Sequence, residues 1–177
     1  LTNASFYFLF SSMNLLYLHG LMGHPTPEKM AVLAEKATTV IAPQLDYYEH
    51  PDLFGWLLDE LTLHKIDYIV GSSAGGLMGY WLARRIGCKA LLFNPALEKM
   101  SMRPDILKHM ADFVPTKPAF YDIVIGQKDD TIIPQTTIDF LQKNAEPTNY
   151  TLHFFPDLGH KIDLETFALA SKKIIAM

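Results

Sequence analysis

Short apolar runs recur along this chain, at residues 14–18, 39–42, 68–70, 89–93, 119–125 and 150–155, and the first of them, N-L-L-Y-L, carries no polar alternation. That is the pattern of a strand covered on both faces. The intervals between the runs read as helices. Thr26-Pro27-Glu28 supplies an N-cap, a proline at the first helical position and an acid in the first turn, and Met30, Leu33, Ala34 and Ala37 then fall on one face. Asp52 caps a second helix whose Phe54, Leu57, Leu58 and Leu61 share a face, and residues 74–85 form a third. A short helix is expected around 106–113, another from near Pro134, and a last one behind Asp163 with Leu164, Phe167 and Ala168. Strands alternating with helices predict one α/β unit: a mostly parallel sheet of about six strands with helices on both faces. Right-handed crossovers gather the loops after the first, third, fifth and sixth strands at one edge. Residues 97–118 leave the only room for a lid, so a shallow or open site is expected.

Composition narrows the picture. The chain of 177 residues is 49% hydrophobic and 19% charged, enough for one compact domain with a sizeable core. Its net charge is -4 with the basic residues scattered, so no phosphate-tracking patch is present and nucleic acid is not an expected partner. The single Cys88 cannot form an intrachain disulfide and has no metal-ligand spacing around it, which favours a reducing, cytoplasmic compartment. The run Phe6 to Phe10 is too short to span a bilayer and lacks a basic segment before it, so no membrane association is expected. Residues 1–12 read as an N-terminal extension, and 13–177 as a single domain.

Candidate chemistry centres on Val70-Gly71-Ser72-Ser73-Ala74-Gly75-Gly76, a G-x-S-x-G pattern between an apolar strand and a helix. A serine between glycines is commonly just a turn, but this context is that of a nucleophile elbow, with Ser73 at the apex. A serine hydroxyl needs exposure, a base and donors for developing negative charge, and a sharp strand-to-helix turn supplies the first. Nucleotide binding fits less well. Ser73 stands where G-x-G-x-x-G needs its second glycine, the next strand ends in Asn94 rather than an acid, and no phosphate-loop motif occurs. After the first strand, His19-Gly20-Leu21 is the loop that would donate a backbone N–H beside that of Ala74, making Leu21 and Ala74 the candidate oxyanion donors. After the fifth strand come Asp129 and Asp130, either of which can serve as the acid, with D-T-I-I-P favouring Asp130. After the last strand, Gly159-His160 offers an imidazole on a loop above the same edge, the candidate general base. Gln44 to Pro51, polar and aromatic, ends a strand where ligands collect in such sheets. His19 and His24 are the only clustered imidazoles and lack a matching acid or cysteine set, so neither metal nor cofactor is expected.

These residues together resemble an α/β-hydrolase, and within that superfamily the chain is similar to the small YqiA-type esterase group. The likeness runs over about residues 14–172 and rests on L-Y-L-H-G, I-A-P-Q-L, V-G-S-S-A-G-G, F-N-P-A, the Asp130 turn and Gly159-His160. It implies an α/β-hydrolase fold with a minimal lid, Ser73 as nucleophile, Asp130 as acid and His160 as base, in the chain order that fold uses. It favours Asp130 because the acid of the group is followed closely by an apolar pair; Asp129 is the alternative and an extra acid relative to the pattern. The expected activity is hydrolysis of small to medium acyl esters, with a small acyl ester as the partner molecule. An acyl thioesterase, or a non-catalytic module on the same fold, are the alternatives.

Overall fold

In a computed structural model, residues 12–175 are described. Apart from Ser12, the expected N-terminal extension lies outside them. The strands are β1 (Asn14–Leu18), β2 (Thr39–Ile41), β3 (Tyr68–Ser72), β4 (Lys89–Phe93), β5 (Phe120–Gly126) and β6 (Tyr150–Phe155). Between and after them lie α1 (Pro27–Ala34), α2 (Leu53–His64), α3 (Ala74–Ile86), α4 (Pro104–Met110), α5 (Pro134–Asn144) and α6 (Leu164–Ile174). All six strands are parallel, in the order β2-β1-β3-β4-β5-β6. This is the parallel six-stranded α/β architecture that the strand and helix pattern pointed to.

Because successive strand side chains point to opposite faces, the sheet divides its apolar residues between two cores. Leu16, Leu18, Ile69, Leu92, Ile123 and Ile125 meet α2, α3 and α5 on one face. Leu15, Tyr17, Val70, Leu91, Phe93 and Val124 meet α1 and α6 on the other, where Phe93 and Tyr17 both contact the ring of Phe167. Both faces are therefore covered, as a parallel sheet requires.

Two segments differ from the sequence pattern. Leu97–Met102 is a 3-10 segment, and the short helix after it starts at Pro104, two residues earlier than its apolar spacing indicates. Proline at the first helical position fixes that start. The segment is pinned from below: Arg103, buried, donates to both Asp105 oxygens and to the carbonyls of Tyr47 and His50, while Asp105 accepts the Phe54 N–H at 2.8 Å. In place of a separate lid, this stretch is a fixed wall.

The chain runs from β1 outward to β2 and then returns past β1 to β3. Loops leaving β1 and β3 consequently diverge and open a crevice at the carboxyl edge, the place where such sheets bind ligands.

Candidate active site

Ser73 sits at the end of β3 with φ 53° and ψ -115°, a left-handed backbone conformation that a residue with a Cβ rarely adopts. Such a conformation costs about 1–3 kcal/mol and persists only where the surroundings hold it. Here the Ser73 N–H donates to Phe93 O at 2.9 Å, and its carbonyl accepts from Leu77 N at 3.0 Å and Ala96 N at 3.1 Å. The neighbouring glycines make the turn fit: a Cβ on Gly71 would collide with the Gly75 carbonyl, and one on Gly75 with the carbonyls of Leu18 and His19. The helix therefore packs on the end of β1 more closely than any side chain allows.

On the β1 side, His19 is buried and fully engaged. Its Nε2 accepts the Leu45 N–H at 2.8 Å, so the ring proton lies on Nδ1 and is donated to Gly20 O at 2.7 Å. Burial lowers the His19 pKa, opposed by the bond to Gly20 and reinforced by His24. A neutral imidazole with both nitrogens used is a brace for the loop. The Gly20 carbonyl also accepts the Gly23 N–H at 3.0 Å, and the His19 carbonyl accepts the Tyr47 hydroxyl. With the Gly20 carbonyl clasped, the Leu21 N–H on the opposite edge of the same planar peptide is fixed in direction. Among the described residues, neither the Leu21 N–H nor the Ala74 N–H has a hydrogen-bond acceptor. Both residues line the crevice beside Ser73.

At the loop after β5 the structure departs from expectation. The residue that meets His160 is Asp129, not Asp130: Asp129 Oδ2 lies 2.8 Å from His160 Nδ1. Asp129 is 4% exposed, and its other oxygen accepts the N–H groups of Thr131 at 2.9 Å and Ile132 at 2.8 Å. Asp130 is exposed, and its carboxylate takes only the Thr131 hydroxyl, at 3.3 Å. The turn that buries Ile132 orients the first acid inward and the second outward.

Asn94 was not singled out from the sequence. It ends β4 at φ 42°, buried, with Oδ1 accepting the Gly126 N–H at 2.7 Å and Nδ2 donating to Gly159 O at 2.8 Å. One side chain thus ties the ends of β4 and β5 to the loop carrying His160. Asparagine tolerates a left-handed backbone better than other residues with a Cβ, and that is the signal F-N-P-A carries.

Ser73, His160, Leu21 and Ala74 line one open cavity of about 530 Å³. A smaller, mainly apolar recess of about 70 Å³ adjoins it past Leu21 and Ala74, closed by Leu77, Tyr47 and Tyr48. The aromatic loop after β2 does line this recess. Another cavity, of about 350 Å³, is bounded by Tyr80, Arg84 and Lys117 at the amino edge of the sheet and contains none of these residues. Among the described residues, no group of three or more His, Cys, Asp or Glu is arranged to hold a metal ion. None of their helices is long and apolar enough to cross a membrane.

Residues 14–121 match the model of UPF0227, an uncharacterised protein family that is YqiA-like. The chain belongs to this family. The UPF0227 match ends at the start of β5, so Asp129 and His160 lie outside it. Among solved structures, the chain resembles the monoacylglycerol lipase of Paleococcus ferrophilus at 14% identity and TM-score 0.65, covering 92% of this chain and 93% of that one. The naproxen esterase (carboxylesterase NP) of Bacillus subtilis matches at 15% identity and TM-score 0.66, over 94% of this chain and 83% of that one. A structure of YahD with malic acid matches at 19% identity and TM-score 0.62, over 92% of each chain. At these identities the likeness establishes the shared α/β-hydrolase fold of this UPF0227 member.

Proposed function

We propose that the protein is a serine ester hydrolase acting on small to medium acyl esters. The observation that carries the reading is the hydrogen bond between buried Asp129 and His160, which lines the same cavity as Ser73 at its left-handed elbow. In this reading His160 Nε2 takes the Ser73 proton as Oγ attacks the ester carbonyl, and the N–H groups of Leu21 and Ala74 hold the oxyanion. Asp129 keeps the His160 proton on Nδ1 and stabilises the imidazolium. His160 then returns the proton to the departing alcohol, leaving an acyl-Ser73. Water, deprotonated by His160, releases the acid and restores the hydroxyl by the same route. The apolar recess past Leu21 and Ala74 suits the acyl chain, being continuous with the side on which the oxyanion donors lie. The single Cys88, its thiol pushed up to about 12 by burial and so held in the unreactive form, fits a cytoplasmic location.

The test is labelling with a fluorophosphonate, read by intact mass. Wild type is expected to take one adduct, and Ser73→Ala and His160→Ala none; Ser73→Ala should also lose several orders of magnitude in ester turnover with an unchanged melting temperature. A folded wild type that takes no adduct would return the chain to a non-catalytic role.

A further inference from the structure

The cavity around Ser73 is basic in a protein of net charge -4. Lys29, Lys99, Lys161 and His24 line it, and no aspartate or glutamate does. The lysines are not equivalent. Lys99 stands on the wall near Met102 and has Glu98 at 3.7 Å. Lys29, from the first turn of α1, is half-buried, its ammonium 5.1 Å from the centre of the Phe167 ring, and among the described residues it has no carboxylate within 4.0 Å. Lys161 follows His160 directly and likewise has no ion-pair partner among the described residues. Asp163 is the carboxylate whose charge reaches Lys29, but its oxygens already accept the Thr166 N–H and hydroxyl as the cap of α6. Burial lowers the Lys29 pKa; Asp163 pulls it back up and Lys161 pushes it further down. A cation that gives up water without an ion pair is a cost to the fold unless something else occupies the place of the anion.

We propose that Lys29 and Lys161 form an anion subsite flanking His160, and that the leaving group of the substrate carries an oxyanion, a carboxylate or a phosphate. This rests on the ester-hydrolase reading for its placement: the base hands its proton to the leaving group, so groups beside His160 are beside that part of the substrate. The acyl recess on the far side, closed by Leu77, Tyr47 and Tyr48, has no part in it.

Direct binding tests the subsite without needing turnover. At constant ionic strength, benzoate and phenyl phosphate are titrated into the full chain by calorimetry, against benzamide and phenol as neutral counterparts. At least one anion should bind about tenfold tighter than its neutral counterpart, the scale of a hydrogen bond to a charged group. Which anion wins tells carboxylate from phosphate. Lys29→Met and Lys161→Gln should each erode the preference and the pair abolish it. Lys161→Glu, at an exposed position that folding does not depend on, should reverse it. Equal binding of anion and neutral counterpart, or a preference that survives the double substitution, overturns the proposal. With hydrolysis established, kcat/KM for 4-carboxyphenyl butyrate relative to phenyl butyrate should fall by a similar factor in Lys161→Glu, and an unmoved ratio counts against the subsite alone. An anion preference in a protein that no fluorophosphonate labels would refute the hydrolase reading and leave the subsite standing.

Discussion

Exchanging Asp129 for asparagine should cost about 10⁴ in kcat, and the structure says why the isosteric change is so harmful. One oxygen of Asp129 accepts two backbone N–H groups, from Thr131 and Ile132, and the other faces His160 Nδ1. An asparagine has one oxygen. Keeping both N–H groups satisfied requires that oxygen to stay at the turn, since a buried unpaired donor costs about 1–3 kcal/mol each. The amide NH₂ must then point at His160. A donor there makes Nδ1 an acceptor and moves the ring proton to Nε2, so the nitrogen facing Ser73 can no longer accept its proton. The loss of about 10⁴ corresponds to about 5.4 kcal/mol of transition-state stabilisation, while the turn itself stays hydrogen-bonded and the melting temperature should move by only a few degrees. The assay is kcat/KM on 4-nitrophenyl butyrate for Asp129→Asn and Asp130→Asn side by side, with nitrogen NMR of His160 reporting its tautomer. Asp130→Asn, on an exposed side chain, should stay within about twofold of wild type. Loss of activity in Asp130→Asn with retention in Asp129→Asn would refute the reasoning, as would an Nδ1-protonated His160 in Asp129→Asn.

Other outcomes follow from packing and electrostatics. Gly75→Ala drives a methyl group into the Leu18 and His19 carbonyls, backbone that cannot step aside; it should cost about 3 kcal/mol and lower Tm by roughly 6–12 °C in thermal unfolding. A Tm within two degrees of wild type would mean the elbow is looser than described. Asn94→Ala strips the Gly126 N–H of its acceptor and puts alanine at φ 42°, for an expected loss of about 2–4 kcal/mol by denaturant titration. Asp52 is raised by partial burial, but hydrogen bonds from Lys108, His109 and the Gly55 N–H outweigh this and hold it at about 2, against an ordinary 3.8. Its contribution is therefore present above about pH 3.8 and fades as pH falls toward 2. Asp52→Asn keeps the helix cap and removes the charge. The Tm gap between the two proteins should thus be open at pH 5 and closed near pH 2, and a gap constant across that range would remove the ion pairs from the account.

The sequence alone determined the layers and the outline of the site, because both are written in local patterns. Unbroken apolar runs separated by three-to-four-residue periods specify parallel strands between helices, and β1, β4 and β6 lie where those runs lie. G-x-S-x-G between strand and helix specifies the geometry of Ser73, since only a turn with small neighbours admits a serine at φ 53°. His160 was legible from its position after the last strand. What tertiary structure decided is what depends on where a side chain points once the loop is closed. Asp129 and Asp130 are adjacent and chemically identical; only the hydrogen bonds to Thr131 and Ile132 turn one toward His160 and the other to solvent. The brace built from His19, Leu45 and Tyr47, and the tie from Asn94 to Gly126 and Gly159, join residues far apart in the chain, so no local period encodes them. Lys29 and Lys161 each look like ordinary surface lysines in sequence. They line one cavity only because the loops after β1 and β6 meet over the carboxyl edge of the sheet.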